Sequence, residues 1–109
     1  QLRTALKDVP KGQLSRLVIA YEPVWAIGTG KNATPEDVQE MRLFITKVLA
    51  DQFGRPALNV IRIMYGGSVN ADNAEAIMTV GQVDGFLVGG ASLKAPDFIS
   101  IIKTAEKYA

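Results

Sequence analysis

Apolar residues along this chain fall into two patterns, short unbroken runs and longer stretches with a helical period. Three runs stand out: Leu17-Val18-Ile19-Ala20-Tyr21, Val60-Ile61-Arg62-Ile63-Met64-Tyr65 and Gly85-Phe86-Leu87-Val88. Each leads directly into small or chemically distinctive residues, namely Glu22-Pro23, Gly66-Gly67-Ser68 and Gly89-Gly90. Runs of this length, rich in β-branched and aliphatic side chains, predict strands buried on both faces, as in a parallel sheet.

Helical patterns lie between the runs. Thr34-Pro35-Glu36-Asp37 combines an N-cap threonine, a proline at the first helical position and acids in the first turn. Val38, Met41, Ile45 and Leu49 then share one stripe, so the spacing predicts an amphipathic helix from Pro35 to about Gln52. Gly54 and Pro56 stop it. Asn70 or Asp72 is expected to cap a second helix through Ala76, Ile77 and Val80, closed by Gly81. Ala95-Pro96-Asp97 opens a third, with Phe98, Ile101, Ile102 and Ala105 on its buried side. At the start, Leu2, Leu6 and Val9 have near-helical spacing, like the tail of a helix whose beginning is missing.

Strand–helix alternation on this scale predicts an α/β fold of right-handed βαβ units around a parallel sheet. A closed eightfold β/α barrel takes roughly 250 residues, or about 31 per unit. The 109 residues present then amount to three units and the end of a preceding helix, one partial barrel domain over residues 1–109.

Composition narrows the chemistry. Hydrophobic residues make up 48% and charged residues 21%, the balance of a globular chain rather than a disordered one. A formal net charge of +1 gives no reason to expect nucleic acid or a membrane surface as partner. With neither cysteine nor histidine, the chain has no disulfide, no thiolate or imidazole zinc site, no cysteine nucleophile and no imidazole proton shuttle. No Asp/Glu cluster suggests a metal site either. The apolar runs are far too short to span a bilayer. The chain begins with Gln1 and shows no leader pattern, which leads us to expect a cytoplasmic protein.

The unusual residues all follow the ends of predicted strands, the edge of a parallel sheet where ligands bind. Glu22 stands where burial strips a carboxylate of hydration. It is either an ordinary strand-end acid, paired with a lysine or capping a helix, or a general base whose pKa is raised by partial burial. The next stretch, Val24-Trp25-Ala26-Ile27-Gly28-Thr29-Gly30-Lys31, has an apolar stem and a glycine-rich end. It reads either as a plain connection or as a lid that packs Trp25 and Ile27 when it closes. It is neither a dinucleotide fingerprint nor a P-loop, because Ala33 stands where a third glycine is needed and Asn32 follows Lys31. Gly66-Gly67-Ser68 and Gly89-Gly90 are either simple turns or glycine-bared amides approaching a phosphate, to which Ser68 adds a further donor.

The stretch Ala20-Tyr21-Glu22-Pro23-Val24-Trp25-Ala26-Ile27-Gly28-Thr29-Gly30 resembles the signature of the triosephosphate isomerase family along its whole length. Tyr65-Gly66-Gly67-Ser68-Val69 and Gly85-Phe86-Leu87-Val88-Gly89-Gly90-Ala91-Ser92-Leu93 resemble the family's next two strand ends, in order and at the family's spacing. The resemblance implies the C-terminal part of a TIM (β/α)8 barrel. It also implies interconversion of dihydroxyacetone phosphate and D-glyceraldehyde 3-phosphate through an enediolate, with no cofactor. By that resemblance Glu22 is the catalytic base, and Gly28, Ser68, Gly89 and Gly90 bind the substrate phosphate. The family's histidine, lysine and asparagine, and its main dimer-forming loops, belong to the N-terminal part.

From this the chain alone is expected to be inactive, its base lacking the electrophile. The alternatives are a non-catalytic phosphate-binding piece and a purely structural one. An unclosed sheet has unpaired strand edges, so the chain is expected to self-associate, to pair with its N-terminal complement, or to rearrange its helices over the open faces.

Overall fold

The computed structural model describes residues 1–23 and 33–108. The expected helix tail is present as α1 (Leu2–Ala5), only four residues long, and Leu6 just beyond it is buried. A 3₁₀ turn at Lys11–Arg16 then tucks Leu14 into the interior. No periodic signal marks that turn, because three-residue winding buries just one side chain here.

The three runs form β1 (Val18–Tyr21), β2 (Arg62–Tyr65) and β3 (Gly85–Phe86). They make one parallel sheet whose order follows the chain, β1-β2-β3. Val18 lies opposite Arg62 and Tyr21 opposite Tyr65, while Met64 faces Gly85 and Tyr65 faces Phe86.

Between β1 and β2 runs α2 (Pro35–Phe53), which starts as its sequence predicts. Asp37 N–H donates to Thr34 Oγ1, and Thr34 N–H donates back to Asp37 Oδ2, both at 3.1 Å. This reciprocal box satisfies two amides that the first helical turn otherwise strands. Val38, Ile45 and Leu49 are buried and Met41 is half-buried, so the predicted stripe is the packed one. Gly54 ends the helix at φ 88°, a backbone that few side chains tolerate.

The second helix starts later than expected. Asn70 Oδ1 accepts from both Asp72 N–H and Asn73 N–H at 2.9 Å, which holds a turn in place of a helix cap. The helix proper, α3 (Ala74–Thr79), follows that turn and buries Ala74, Ile77 and Met78. The third helix, α4 (Ala95–Tyr108), packs on α3, with Ile101 buried. Ile102, expected on the buried side, is instead 49% exposed. One side chain of the adjacent pair reaches α3 and the sheet; the other points away.

One expectation about the strands is corrected. Ile19, Ile63 and Tyr65 are buried, but Val18, Ala20 and Arg62 are exposed. The sheet is therefore covered on one face only, and along each strand burial alternates with the pleat. Among the described residues no helix crosses to the open face, so of the three outcomes expected for an unclosed sheet, rearrangement of the helices over that face is the one not adopted. The covered side holds two core clusters. One joins Leu6, Leu14, Ile19, Ile45, Leu49, Phe53, Ile61 and Ile63; the other joins Val38, Tyr65, Val69, Ile77, Met78 and Ile101.

Candidate functional site

The C-terminal strand ends lie side by side. Gly66 N–H donates to the Tyr21 carbonyl at 2.7 Å, and Leu87 N–H donates to the Tyr65 carbonyl at 2.9 Å. A Cβ at Gly66 would stand 3.7 Å from the Cβ atoms of both Glu22 and Leu87. Glu22 and Leu87 thus flank a notch left by a missing side chain. Pro23 is buried and anchors the end of β1, while Glu22 itself is exposed. Partial burial of Glu22 was expected from the apolar run before it. The carboxylate is exposed because, among the described residues, the face it shares with Val18 and Ala20 has no cover.

Ser68, Gly89 and Gly90 come together as expected. They line a cavity of about 270 Å³ with Gly67, Asn70, Lys94 and Asp97. The Gly89 amide donates to no other described residue, and a Cβ at Gly89 or Gly90 would meet nothing within 4 Å. These two glycines are therefore not demanded by packing, and their bare backbone borders open space. The loop is held from below by Ser92, whose N–H and Oγ both donate to the Gly89 carbonyl at 3.0 and 2.6 Å. On the other side Asn73 Nδ2 donates to the Ser68 carbonyl at 2.9 Å, and Asn73 Oδ1 accepts from Asn70 N–H at 2.8 Å. Both strand-end loops are fixed by side-chain bonds to backbone, which suits a preformed anion cradle. Gly28 and the lid segment 24–31 lie outside the described residues.

Sequence reasoning gives Asn70 and Asp97 roles at helix starts only and does not single out Lys94; none of the three is expected at this site. Lys94 sits directly before the Ala95-Pro96-Asp97 helix start, so a positive charge placed beside Gly89-Gly90 was the available signal. Among the described residues it supplies the one ammonium on the cavity wall, and the Asp97 carboxylate on the same wall moderates it.

Gly67 has a different reason to be glycine from the one its motif suggests. A Cβ there would run into the ring and hydroxyl of Tyr65. Tyr65 is fully buried, and its ring lies 6.4 Å from that of Tyr21 in a tilted pair. Its hydroxyl has no hydrogen-bond partner among the described residues. Burial pushes the Tyr65 hydroxyl above its ordinary pKa of 10.0; the nearby backbone of Ala33 and Ser68 pulls the other way without making a bond of normal geometry. Burial, helped by the Asp37 charge, also raises Tyr21.

No group of three or more His, Cys, Asp or Glu residues stands close enough to hold a metal ion among the described residues. Nor is any described helix long and apolar enough to cross a membrane.

Comparison with known proteins agrees with this geometry. A family model for triosephosphate isomerase matches residues 1–105. The triosephosphate isomerase of Chloroherpeton thalassium is 53% identical over 106 residues, covering 97% of this chain and 42% of its own length. That of Marinobacter nauticus is 57% identical over 104 residues, covering 95% and 40%. That of Thermus thermophilus is 50% identical over 105 residues, covering 96% and 42%. The chain spans about two fifths of the length of the curated relatives it matches. Three parallel strands in chain order, helices on one face and a match over residues 1–105 lead to one assignment: the chain belongs to the triosephosphate isomerase family and forms part of its (β/α)8 barrel.

Proposed function

We propose that this chain supplies the base and the phosphate cradle of a triose-phosphate isomerase and becomes active only when joined to the rest of the barrel. Glu22 removes a proton from one carbon of dihydroxyacetone phosphate and returns it to its neighbour, through an enediolate, to give D-glyceraldehyde 3-phosphate. Ser68, Gly89 and Gly90 hold the phosphate through backbone amides, and Gly28 adds another once the lid has closed. Abstraction beside a carbonyl also needs an electrophile for the growing oxyanion and a dry pocket. This chain has no histidine and leaves Glu22 exposed, so the electrophile falls to the complementary N-terminal portion, and the dry pocket to that portion together with this chain's lid. The family's homodimer and its cytoplasmic place of action belong to that completed form.

The observation that carries this reading is the shared cavity of Ser68, Gly89 and Gly90 at the sheet edge where Glu22 also stands. The test is a coupled isomerase assay on the chain alone, on the chain with its N-terminal complement, and on the complemented Glu22→Gln variant. We expect no turnover alone, turnover on complementation, and loss of kcat by at least about 100-fold in the variant, with KM little changed. Turnover by the chain alone that vanishes in Glu22→Gln would show that some other group replaces the electrophile.

The lack of histidine also favours a second reading, phosphate binding without catalysis. Under it the chain takes up inorganic phosphate at Ser68 and Gly89, and the complemented form stays inactive.

A further inference from the structure

The opposite, N-terminal edge of the sheet carries a larger cavity, about 420 Å³, walled by α2, the 3₁₀ turn at Arg55–Asn59, the start of β2 and Asp84. We propose that it binds a small monocarboxylate with an apolar body. Its floor is Leu49, Ile61 and Ile63, which are 0%, 5% and 3% exposed and belong to the first core cluster. Its charged wall is Arg42, Arg62 and Asp84.

Three features select the ligand. The Nε of Arg42 is buried without an acceptor among the described residues, so this guanidinium is under-satisfied where it lines the cavity, and a ligand oxygen is expected at its outer nitrogens because the Nε itself has almost no exposed surface. Neither Arg42 nor Arg62 takes part in an ion pair with a described residue. A carboxylate matches a guanidinium fork with two parallel hydrogen bonds.

Asp84 is held on Ile63 and pairs with neither guanidinium among the described residues. Its Oδ2 accepts the Ile63 N–H at 2.8 Å, and its own N–H donates to the Ile63 carbonyl at 2.8 Å. Two guanidiniums against one fixed carboxylate leave a single positive charge to be matched. A monoanion meets that balance, whereas a dianion such as phosphate is opposed by Asp84. The apolar floor adds to the selection, because a ligand's own hydrocarbon leaves water when it settles over Ile61 and Ile63, and a bare phosphate has none to bury.

The test is a pair of titrations of the full 109-residue chain, with butyrate and with inorganic phosphate at matched ionic strength, followed by amide NMR. Butyrate should shift the amides of Val60, Ile61, Arg62 and Asp84 saturably and leave those of Ser68 and Gly89 unmoved. Phosphate should leave the first group unmoved, whether or not it binds at the second, so this proposal stands or falls apart from the isomerase reading. Arg42→Gln should weaken butyrate binding by at least about tenfold, the loss of one charge-assisted contact. Thr46→Glu places a carboxylate one helical turn from Arg42 on the same face, and it should occupy the guanidinium and block butyrate. It decides the matter if Arg42→Gln does not fold. No saturable shift, butyrate binding untouched by these substitutions, or phosphate moving the same amides as strongly, would each overturn the proposal.

Discussion

Tyr65 is held by its ring and not by its hydroxyl. The ring packs against Tyr21 and beneath Gly67, while the hydroxyl is buried without a partner among the described residues. Such a group destabilises the fold by about 1–3 kcal/mol, so Tyr65→Phe should leave stability unchanged or raise it by about 1 kcal/mol. A loss of more than about 2 kcal/mol in a urea titration would mean that the hydroxyl does have a partner. The same residue shapes the alkaline limb. The folded-state pKa values of Tyr21 and Tyr65 are raised above the unfolded value of 10.0, so the folded state holds these protons more tightly. Stability is then fully present below that value and lost as pH rises through the raised folded values. Part of that loss should disappear in Tyr65→Phe. At this scale the sequence reveals which residues matter better than why they matter. Glu22 is conspicuous because an apolar run stops at it, but its exposure depends on a cover that no neighbouring residue encodes. Gly67 looks like a phosphate glycine and is a packing glycine, because its constraint comes from a ring that folding brings back over it.

Among the elements, α2 was the most legible and α3 the least. The helix α2 carries its start, stripe and stop within its own residues, and all three are found in place. Removing the start should show its worth: Thr34→Ala is expected to lower the stability of the chain by about 1 kcal/mol, read as a shift of the denaturation midpoint with an unchanged slope. No shift would mean that water satisfies the freed amide equally well. In α3 the cap residues were misassigned because Asn70 and Asn73 both favour local backbone bonds, and two such residues three apart close a turn before the helix begins. The strand β3 is shorter than its apolar run: its ladder to β2 covers only Gly85 and Phe86. The 3₁₀ turns at Lys11–Arg16 and Arg55–Asn59 left no readable pattern, since neither has a full amphipathic period.

For the molecule as a whole, continuous apolar runs implied cover on both faces of the sheet, and the described chain provides it on one. Val18 is 48% and Leu87 57% exposed, and β1 and β3 are open edges. We therefore expect concentration-dependent self-association in sedimentation experiments, relieved by adding the N-terminal complement. Val18→Lys with Leu87→Lys should suppress it, since charge on an open sheet face and edge opposes strand addition. A chain that sediments as a monomer at every concentration would refute this.

The division of the interior into two clusters sets how the chain comes apart. Both α2 and β2 run through the two clusters, and among the described residues Tyr21 is the one side chain packed against each. The span from Val69 to Tyr108 contributes nothing to the first cluster, so α3 and α4 are expected to come off the sheet before α1, β1 and the C-terminal half of α2 separate. The chain is therefore expected to open in two units of unequal reach, and in hydrogen exchange the amides of α4 should be less protected than those near Leu49 and Ile63.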